Sequence, residues 1–146
     1  MKKIVIYHES PPCNIGVLQQ YIETIASTMI PPLKEQVELK AYIEKLAAFA
    51  DVFYAKQEEK LCGCCAVYLN QAVGYITSIG IYPECQGMGI GNMLLENVLK
   101  EAKKQNIDQI ELEVFQGNGR AINFYKKCGF SIIKKHGMWI RMRKKI

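Results

Sequence analysis

The sequence predicts a mixed α/β (α+β) fold, and three observations carry that prediction. Hydrophobic spacing switches repeatedly between a period of two and a period of 3.6. Strand-like runs occur near the start, the middle and the end, with helical runs between them. Turn residues stand where the period changes: Pro11-Pro12, Pro31-Pro32, Asn70-Gln71, the glycines at 87, 89 and 91, and His136-Gly137. The 146 residues suit one core, so 1–146 is read as a single domain.

Residues 2–7 begin like a signal peptide, but the apolar run stops at Tyr7-His8-Glu9 and reads better as a first strand. After Pro11-Pro12, Ile15, Leu18, Ile22, Ile25 and Met29 recur at helical spacing. Pro31-Pro32 is expected to end that helix and open a second, with Leu33, Val37, Ile43, Leu46 and Phe49-Ala50 on its apolar side. Strands are expected at 51–56, 61–69 and 72–82. A glycine-rich loop then leads into an amphipathic helix carrying Leu94, Leu95, Val98 and Ala102. Residues 109–115 alternate as a strand. Asn118 is placed to cap a short helix with Ala121, Phe124, Tyr125 and Cys128 along one stripe. Gly129 is placed to close it with a left-handed residue, Phe130 folding back. Two strands, 130–135 and 138–144, finish the order β-α-α-β-β-β-α-β-α-β-β.

Composition narrows the function. With 49% apolar and 23% charged residues, this is an ordinary globular composition. No run approaches the ~20 apolar residues that span a bilayer, so no membrane partner is expected and a cytoplasmic setting is. The net charge of +5 favours anionic ligands, but no basic stripe interleaves with aromatics, so nucleic acid is not an expected partner. Six cysteines without a secretion signal read as reduced thiols. Cys62-Gly63-Cys64-Cys65 lacks a second ligand pair at matching spacing, so no metal is expected.

The passage from strand 72–82 through Gln86, Gly87, Met88, Gly89, Ile90 and Gly91 into a helix is the sharpest local signal. Its glycines let backbone N–H groups approach a ligand, and the helix adds its positive end, which together suit a pyrophosphate. Taken alone, the same turn also suits close helix–sheet packing. A P-loop would need Gly-Lys-Ser/Thr, and Gly91 is followed by Asn92-Met93. A dinucleotide fingerprint needs G-x-G-x-x-G, and here the spacing is G-x-G-x-G, although Glu111 stands about 20 residues on.

Gln86–Gly91 does match Q/R-x-x-G-x-G/A. Further along come Leu112-Glu113-Val114, Asn118, Ala121 and Phe124-Tyr125-Lys126-Lys127-Cys128-Gly129-Phe130. In these two motifs the chain resembles the GNAT superfamily of N-acetyltransferases, clearly over residues 72–132. The resemblance implies a mixed, largely antiparallel sheet with a central splay, and acetyl-CoA as co-substrate. It implies that Gln86, Gly87, Met88, Gly89, Ile90 and Gly91 hold the CoA pyrophosphate. The strand around Ile79, Gly80 and Ile81 would part from 110–115 and pair with the pantetheine arm. The Ile81 N–H would steady the thioester oxyanion. Asn118 would touch the CoA arm as well as cap its helix.

By periodicity Tyr125 is a buried aromatic; the resemblance makes it the acid that protonates the leaving CoA thiolate. Glu113, twelve residues earlier, resembles the glutamate base of the ribosomal-protein alanine N-acetyltransferases of the same superfamily. As a plain strand carboxylate it needs no such role. Glu84, Tyr75, Ser78 and Tyr82 are lesser base candidates. Cys85 has no nearby histidine to activate it, so direct transfer in a ternary complex is expected. The acceptor is read first as a small primary amine, such as an amino sugar, a polyamine or an amino acid, and second as a protein N-terminus. A non-catalytic CoA- or nucleotide-binding module is the third reading. Acceptor choice is expected to rest on residues 10–50, where Tyr21, Glu23, Tyr42 and Glu44 could reach a substrate. The oligomeric expectation is a monomer or a homodimer.

Overall fold

The computed structural model describes residues 2–146, with Ser27 described by its backbone alone. The expected element order is found: β1 (Ile4–Glu9), α1 (Ile15–Ile25), α2 (Leu39–Phe49), β2 (Asp51–Gln57), β3 (Lys60–Tyr68), β4 (Gly74–Ile81), α3 (Ile90–Lys104), β5 (Gln109–Phe115), α4 (Gly119–Lys127), β6 (Ser131–His136) and β7 (Trp139–Lys145). Short 3₁₀ turns occupy Ala26–Thr28, Leu33–Glu35 and Pro83–Cys85.

The seven strands form one sheet in the order β1-β2-β3-β4-β5-β7-β6. Every neighbouring pair is antiparallel except β4 and β5, which run parallel. That exception follows from connectivity, because α3 carries the chain back before β5 begins and parallel strands need such a crossover. Side chains alternate across the sheet and feed two cores. Val67, Ile76, Ile110 and Leu112 pack with Leu94 and Val98 of α3 on one face. Val52, Tyr54 and Ala66 pack with Leu18, Ile22 and Leu46 of α1 and α2 on the other. Burying side chains of this kind stabilises by about 1.5–3 kcal/mol each.

Alternation parts Cys64 from Cys65, and a bulge at Cys62, where the β2–β3 register shifts from Ala55↔Gly63 to Lys56↔Leu61, turns Cys62 to the face opposite Cys64. Cys62 and Cys65 enter the α3 core and Cys64 the α1–α2 core, so they do not converge. Among the described residues, no group of three or more His, Cys, Asp or Glu could hold a metal ion. No helix among them is long and apolar enough to cross a membrane.

The second helix starts later than Pro31-Pro32 suggests. Leu33–Glu35 makes one 3₁₀ turn, and α2 begins only at Leu39. The Glu38 carboxylate caps it, accepting from the Lys40 N–H at 3.2 Å and the Ala41 N–H at 2.7 Å. Phe49, expected on the apolar side, is half exposed, while Leu46 and Ala50 are fully buried. The restart at Leu39 leaves residues 26–38 as an irregular segment that lies against one side of the site described next.

Candidate active site

β4 and β5 pair only from Gly74–Ile76 to Ile110–Leu112. Beyond Ile76 the pairing of β4 with β3 changes register, from Val67↔Ile76 to Ala66↔Ser78, leaving Thr77 as an extra residue. A bulge bends its strand and strengthens the local twist, and here it coincides with the end of β4–β5 pairing. The strands then part around a cleft of about 500 Å³ lined by Ile76–Ile81 and Leu112–Phe115. The Tyr82 N–H donates to the Cys62 carbonyl at 2.8 Å, on the β3 side. Backbone groups alternate along a strand, so the N–H groups of Ile81 and Ile79 face away from β3, toward the cleft. Gly80 turns its missing side chain to α1, where a Cβ would lie 2.7 Å from Ile25 Cδ1 and 2.9 Å from the Tyr21 hydroxyl.

At one end of the cleft stand the glycine loop and α3. Gly87 and Gly89 have φ of 82° and 75°, and Gly89 is the residue from which α3 departs. These left-handed turns orient the loop's N–H groups with the first orphan N–H groups of α3. Gln86, Gly87, Gly89, Ile90 and Gly91 all line the cleft, and Ile90 is buried beneath the loop. Met88, expected to join them, is exposed and outside the lining. Gly91 is needed for closeness, since a Cβ there would meet Phe124 of α4 at 2.9 Å.

α4 brings Asn118 and Tyr125 to the lining. Asn118 caps the helix, its Oδ1 accepting from the Ala121 N–H at 3.3 Å. The other end is a Schellman closure. The Phe130 N–H reaches the Tyr125 carbonyl and the Gly129 N–H reaches the Lys126 carbonyl, each at 3.0 Å, with Gly129 at φ 97°. Phe124 and Phe130 meet the Tyr125 ring edge-on at 5.4 and 5.8 Å. Both ends of the short helix therefore fix the ring. Its hydroxyl has no hydrogen-bonding side chain or carbonyl among the described residues. Burial, helped by nearby Cys65 and Cys128, holds this phenol well above the usual tyrosine range. It stays protonated at any physiological pH, with a hydrogen to donate.

Glu113 lies on the opposite face. Ile110, Leu112 and Val114 point to the α3 core, so Glu111, Glu113 and Phe115 point the other way. Glu113 lines the cleft and is hydrogen-bonded through Oε2 to His136 Nε2, while Arg141 Nη2 stands 3.8 Å from Oε1. Arg141 and Arg143 clamp Glu111 at 2.6 and 2.7 Å. Burial of Glu111 opposes its charge, but the two guanidiniums override it and hold the carboxyl below its usual range. Tyr125 and Glu113 thus reach one cleft from opposite faces of the sheet.

Several contributors are not apparent in the sequence. Ile25, Met29, Ile30 and Leu33 give the α1–α2 side an apolar wall, completed by Phe115 and Trp139. Arg120 and Glu113 are the one cation and the one carboxylate lining the cleft among the described residues. A hydrophobic run flanking Pro31-Pro32 was the available signal for that wall. His136 offered none.

The lesser candidates separate. Ser78 lines the cleft, and its buried hydroxyl lacks a partner among the described residues. Tyr21 is fully buried and donates to the Cys64 carbonyl at 3.0 Å, so it does not reach a substrate. Tyr42 is held by Thr77 at 2.9 Å, and Glu23 is paired with Gln19 on the outside of α1. Tyr75 stacks under Arg141, and Glu84 pairs with Lys60 outside the lining. Cys85 lines the cleft, but burial, with Cys62 beside it, pushes its thiol up to about 11, away from thiolate chemistry.

Comparison with known proteins gives a consistent picture. Residues 20–130 match the model of the Acetyltransferase (GNAT) family. The chain is 34% identical over 99 residues, 64% of its length, to a Drosophila melanogaster protein named "Probable N-acetyltransferase san". It is 36% identical over 95 residues, 63% of its length, to N-alpha-acetyltransferase 50 of Danio rerio. It spans about half the length of these curated relatives, 54% and 53%. Its fold superposes with a TM-score of 0.76 on the Thermoplasma acidophilum PaiA N-acetyltransferase in complex with coenzyme A, at 22% identity over 99% of both chains.

Proposed function

The chain belongs to the GNAT family of acetyltransferases, and from that premise we propose that it moves an acetyl group from acetyl-CoA to a primary amine, directly within a ternary complex. The observation that carries this reading is the through-sheet cleft, with the phenol of Tyr125 on one face and the carboxylate of Glu113 on the other. The fit to CoA rests on the left-handed glycines Gly87 and Gly89 in the loop that opens α3, and on the unpaired β4 edge.

The N–H groups of Gln86–Gly91 and the positive end of α3 hold the pyrophosphate. Arg120, the one cation in the cleft lining among the described residues, favours an anionic ligand there. Ile79 and Ile81 offer N–H and carbonyl groups to the amide-bearing arm, completing an open strand edge as a further strand would. The Ile81 N–H donates to the thioester oxygen as it gains charge. Glu113 draws in the substrate ammonium and serves its deprotonation. The amine attacks the carbonyl carbon, the carbon–sulfur bond breaks, and Tyr125 gives the departing sulfur its proton. Asn118 keeps α4, and so Tyr125, in position.

The acceptor wall is mostly apolar, with Thr28 and Gln36 among Ile25, Met29, Ile30 and Leu33, and Glu113 is its one charged group among the described residues. That supports a small amine carried on an apolar group over a polyamine, whose further ammonium groups would need further carboxylates. A protein N-terminus is the second reading, supported by the name of the Danio rerio relative and by the Glu113–Tyr125 spacing. Six free cysteines, five of them buried, support a reducing, cytoplasmic setting. The test is incubation with acetyl-CoA and a mixed panel of apolar amines, peptides with free N-termini, polyamines and amino sugars, followed by mass. Acetylation confined to apolar amines supports the first reading, and confined to peptides the second. Preference for polyamines contradicts the acceptor assignment.

A further inference from the structure

The stoichiometry of amine acetylation leaves one proton to dispose of. An ammonium carries three protons: one stays on the amide, one ends on the CoA thiol, and one must reach solvent. Glu113 is the carboxylate at the cleft, yet both of its oxygens already face donors, His136 Nε2 at Oε2 and Arg141 Nη2 at 3.8 Å from Oε1. Arg141 cannot take a proton, because a guanidinium has no acceptor and stays charged. It is also committed to Glu111 at 2.6 Å and lies over the Tyr75 ring, with Arg143 sharing Glu111. His136 is the group on Glu113 that can accept one.

Its placement suits that task. His136 ends β6 at a turn whose Gly137 has φ 60°, and it pairs across that turn with Trp139, which lines the cleft. His136 is not itself in the cleft lining; its side chain is 47% exposed against 24% for Glu113, so it meets the cleft through that carboxylate and through water. No charged residue of α1, α2 or the segment between them is in the lining.

We propose that His136 is the general base of this site and that Glu113 acts through it as a positioning carboxylate. The inference rests on the acetyltransferase reading and deepens it. Glu113 accepts from the His136 Nε2–H, which fixes the tautomer and leaves the Nδ1 lone pair open. Nδ1 takes one proton from the substrate ammonium through water, leaving a neutral amine and an imidazolium beside the carboxylate. The imidazolium then returns that proton to solvent. The balance is R–NH₃⁺ plus acetyl-S-CoA giving R–NH–acetyl, HS-CoA and H⁺.

The test is kcat/KM against pH for His136→Ala, His136→Gln and Glu113→Gln, with acetyl-CoA and an accepted amine. Below the amine's own pKa, about 8 for an α-amine, each variant is expected to lose ~10²-fold, the lower bound for a positioned base. The deficit should fade at higher pH, where the amine arrives neutral. Added imidazole should restore His136→Ala at pH 6.5 and leave Tyr125→Phe unrepaired. The double variant should fall no further than the worse single one, and exposed Lys135→Ala should match wild type. A wild-type rate for His136→Ala at pH 6.5 overturns the proposal, and so does a deficit that is flat with pH and deaf to imidazole. A wild-type chain that acetylates no amine overturns the acetyltransferase reading and this one with it; an active wild type with unaffected variants overturns this one alone.

Discussion

Replacing Tyr125 by Phe isolates a single oxygen. The ring is held by edge contacts to Phe124 and Phe130, by α4 and by the Schellman closure at Gly129, all of which phenylalanine keeps. The hydroxyl has no partner among the described residues to lose, so stability should change by less than about 0.5 kcal/mol, the range of a substitution that breaks no contact. In a domain of this size that is roughly 1–2 °C in Tm. Catalysis should respond very differently. Loss of a positioned acid costs ~10²–10⁴-fold, or about 2.7–5.4 kcal/mol at 1.36 kcal/mol per decade. The assay is kcat by mass-detected product at saturating acetyl-CoA, beside thermal unfolding of the same preparation. The KM for acetyl-CoA should hold within about threefold, because the pyrophosphate cradle is untouched. Retention of kcat within twofold would refute the acid assignment. A Tm loss above about 5 °C, as Tyr125→Ala would give by opening a cavity, would refute the packing argument.

Three further outcomes follow from the same geometry. At Gly89 an added Cβ meets nothing within 4 Å, so the cost of Gly89→Ala comes from its φ of 75° alone. About 1–2 kcal/mol of strain at the start of α3 should raise the KM for acetyl-CoA ~5–30-fold with kcat little changed. Glu111 is held below its unfolded pKa by Arg141 and Arg143, so its stabilisation is present above the unfolded value and lost as pH falls through the folded one. Urea unfolding should show wild type weakening below about pH 4.3, and Glu111→Gln should flatten that loss. Glu111→Gln should also cost about 1–3 kcal/mol at pH 7, less than for a fully buried pair because both guanidiniums can rehydrate. Cys85→Ala should keep turnover within about threefold, since its thiol is pushed up by burial; a fall of ~10²-fold would revive a covalent acyl-enzyme.

Much of the architecture is legible because it is local. Asn118 as a cap and Gly129 with Phe130 as a closure are short-range hydrogen-bond chemistry, and both are found where residue type alone puts them. The glycine loop is legible for the same reason. The later start of α2 was hidden because its cap is Glu38, outside the usual Ser, Thr, Asp and Asn set. Tyr21 is read from the sequence as able to reach a substrate, yet α1 packs so closely over Gly80 that its hydroxyl is spent on the Cys64 carbonyl. Thr77 carries no sequence mark as the bulge that opens the cleft, since register depends on the neighbouring strands. The Glu113–His136 contact spans 23 residues and two strand pairings, a distance at which no periodicity speaks.

The most direct test of the account is whether the pure protein moves an acetyl group from acetyl-CoA to an amine. Incubation with acetyl-CoA and the mixed amine panel, read by mass, is expected to yield one acetylated class and an equal amount of free CoA, with Tyr125→Phe failing to do so. A protein that acetylates no member of the panel, and that binds neither CoA nor acetyl-CoA by calorimetry, would contradict the central claim.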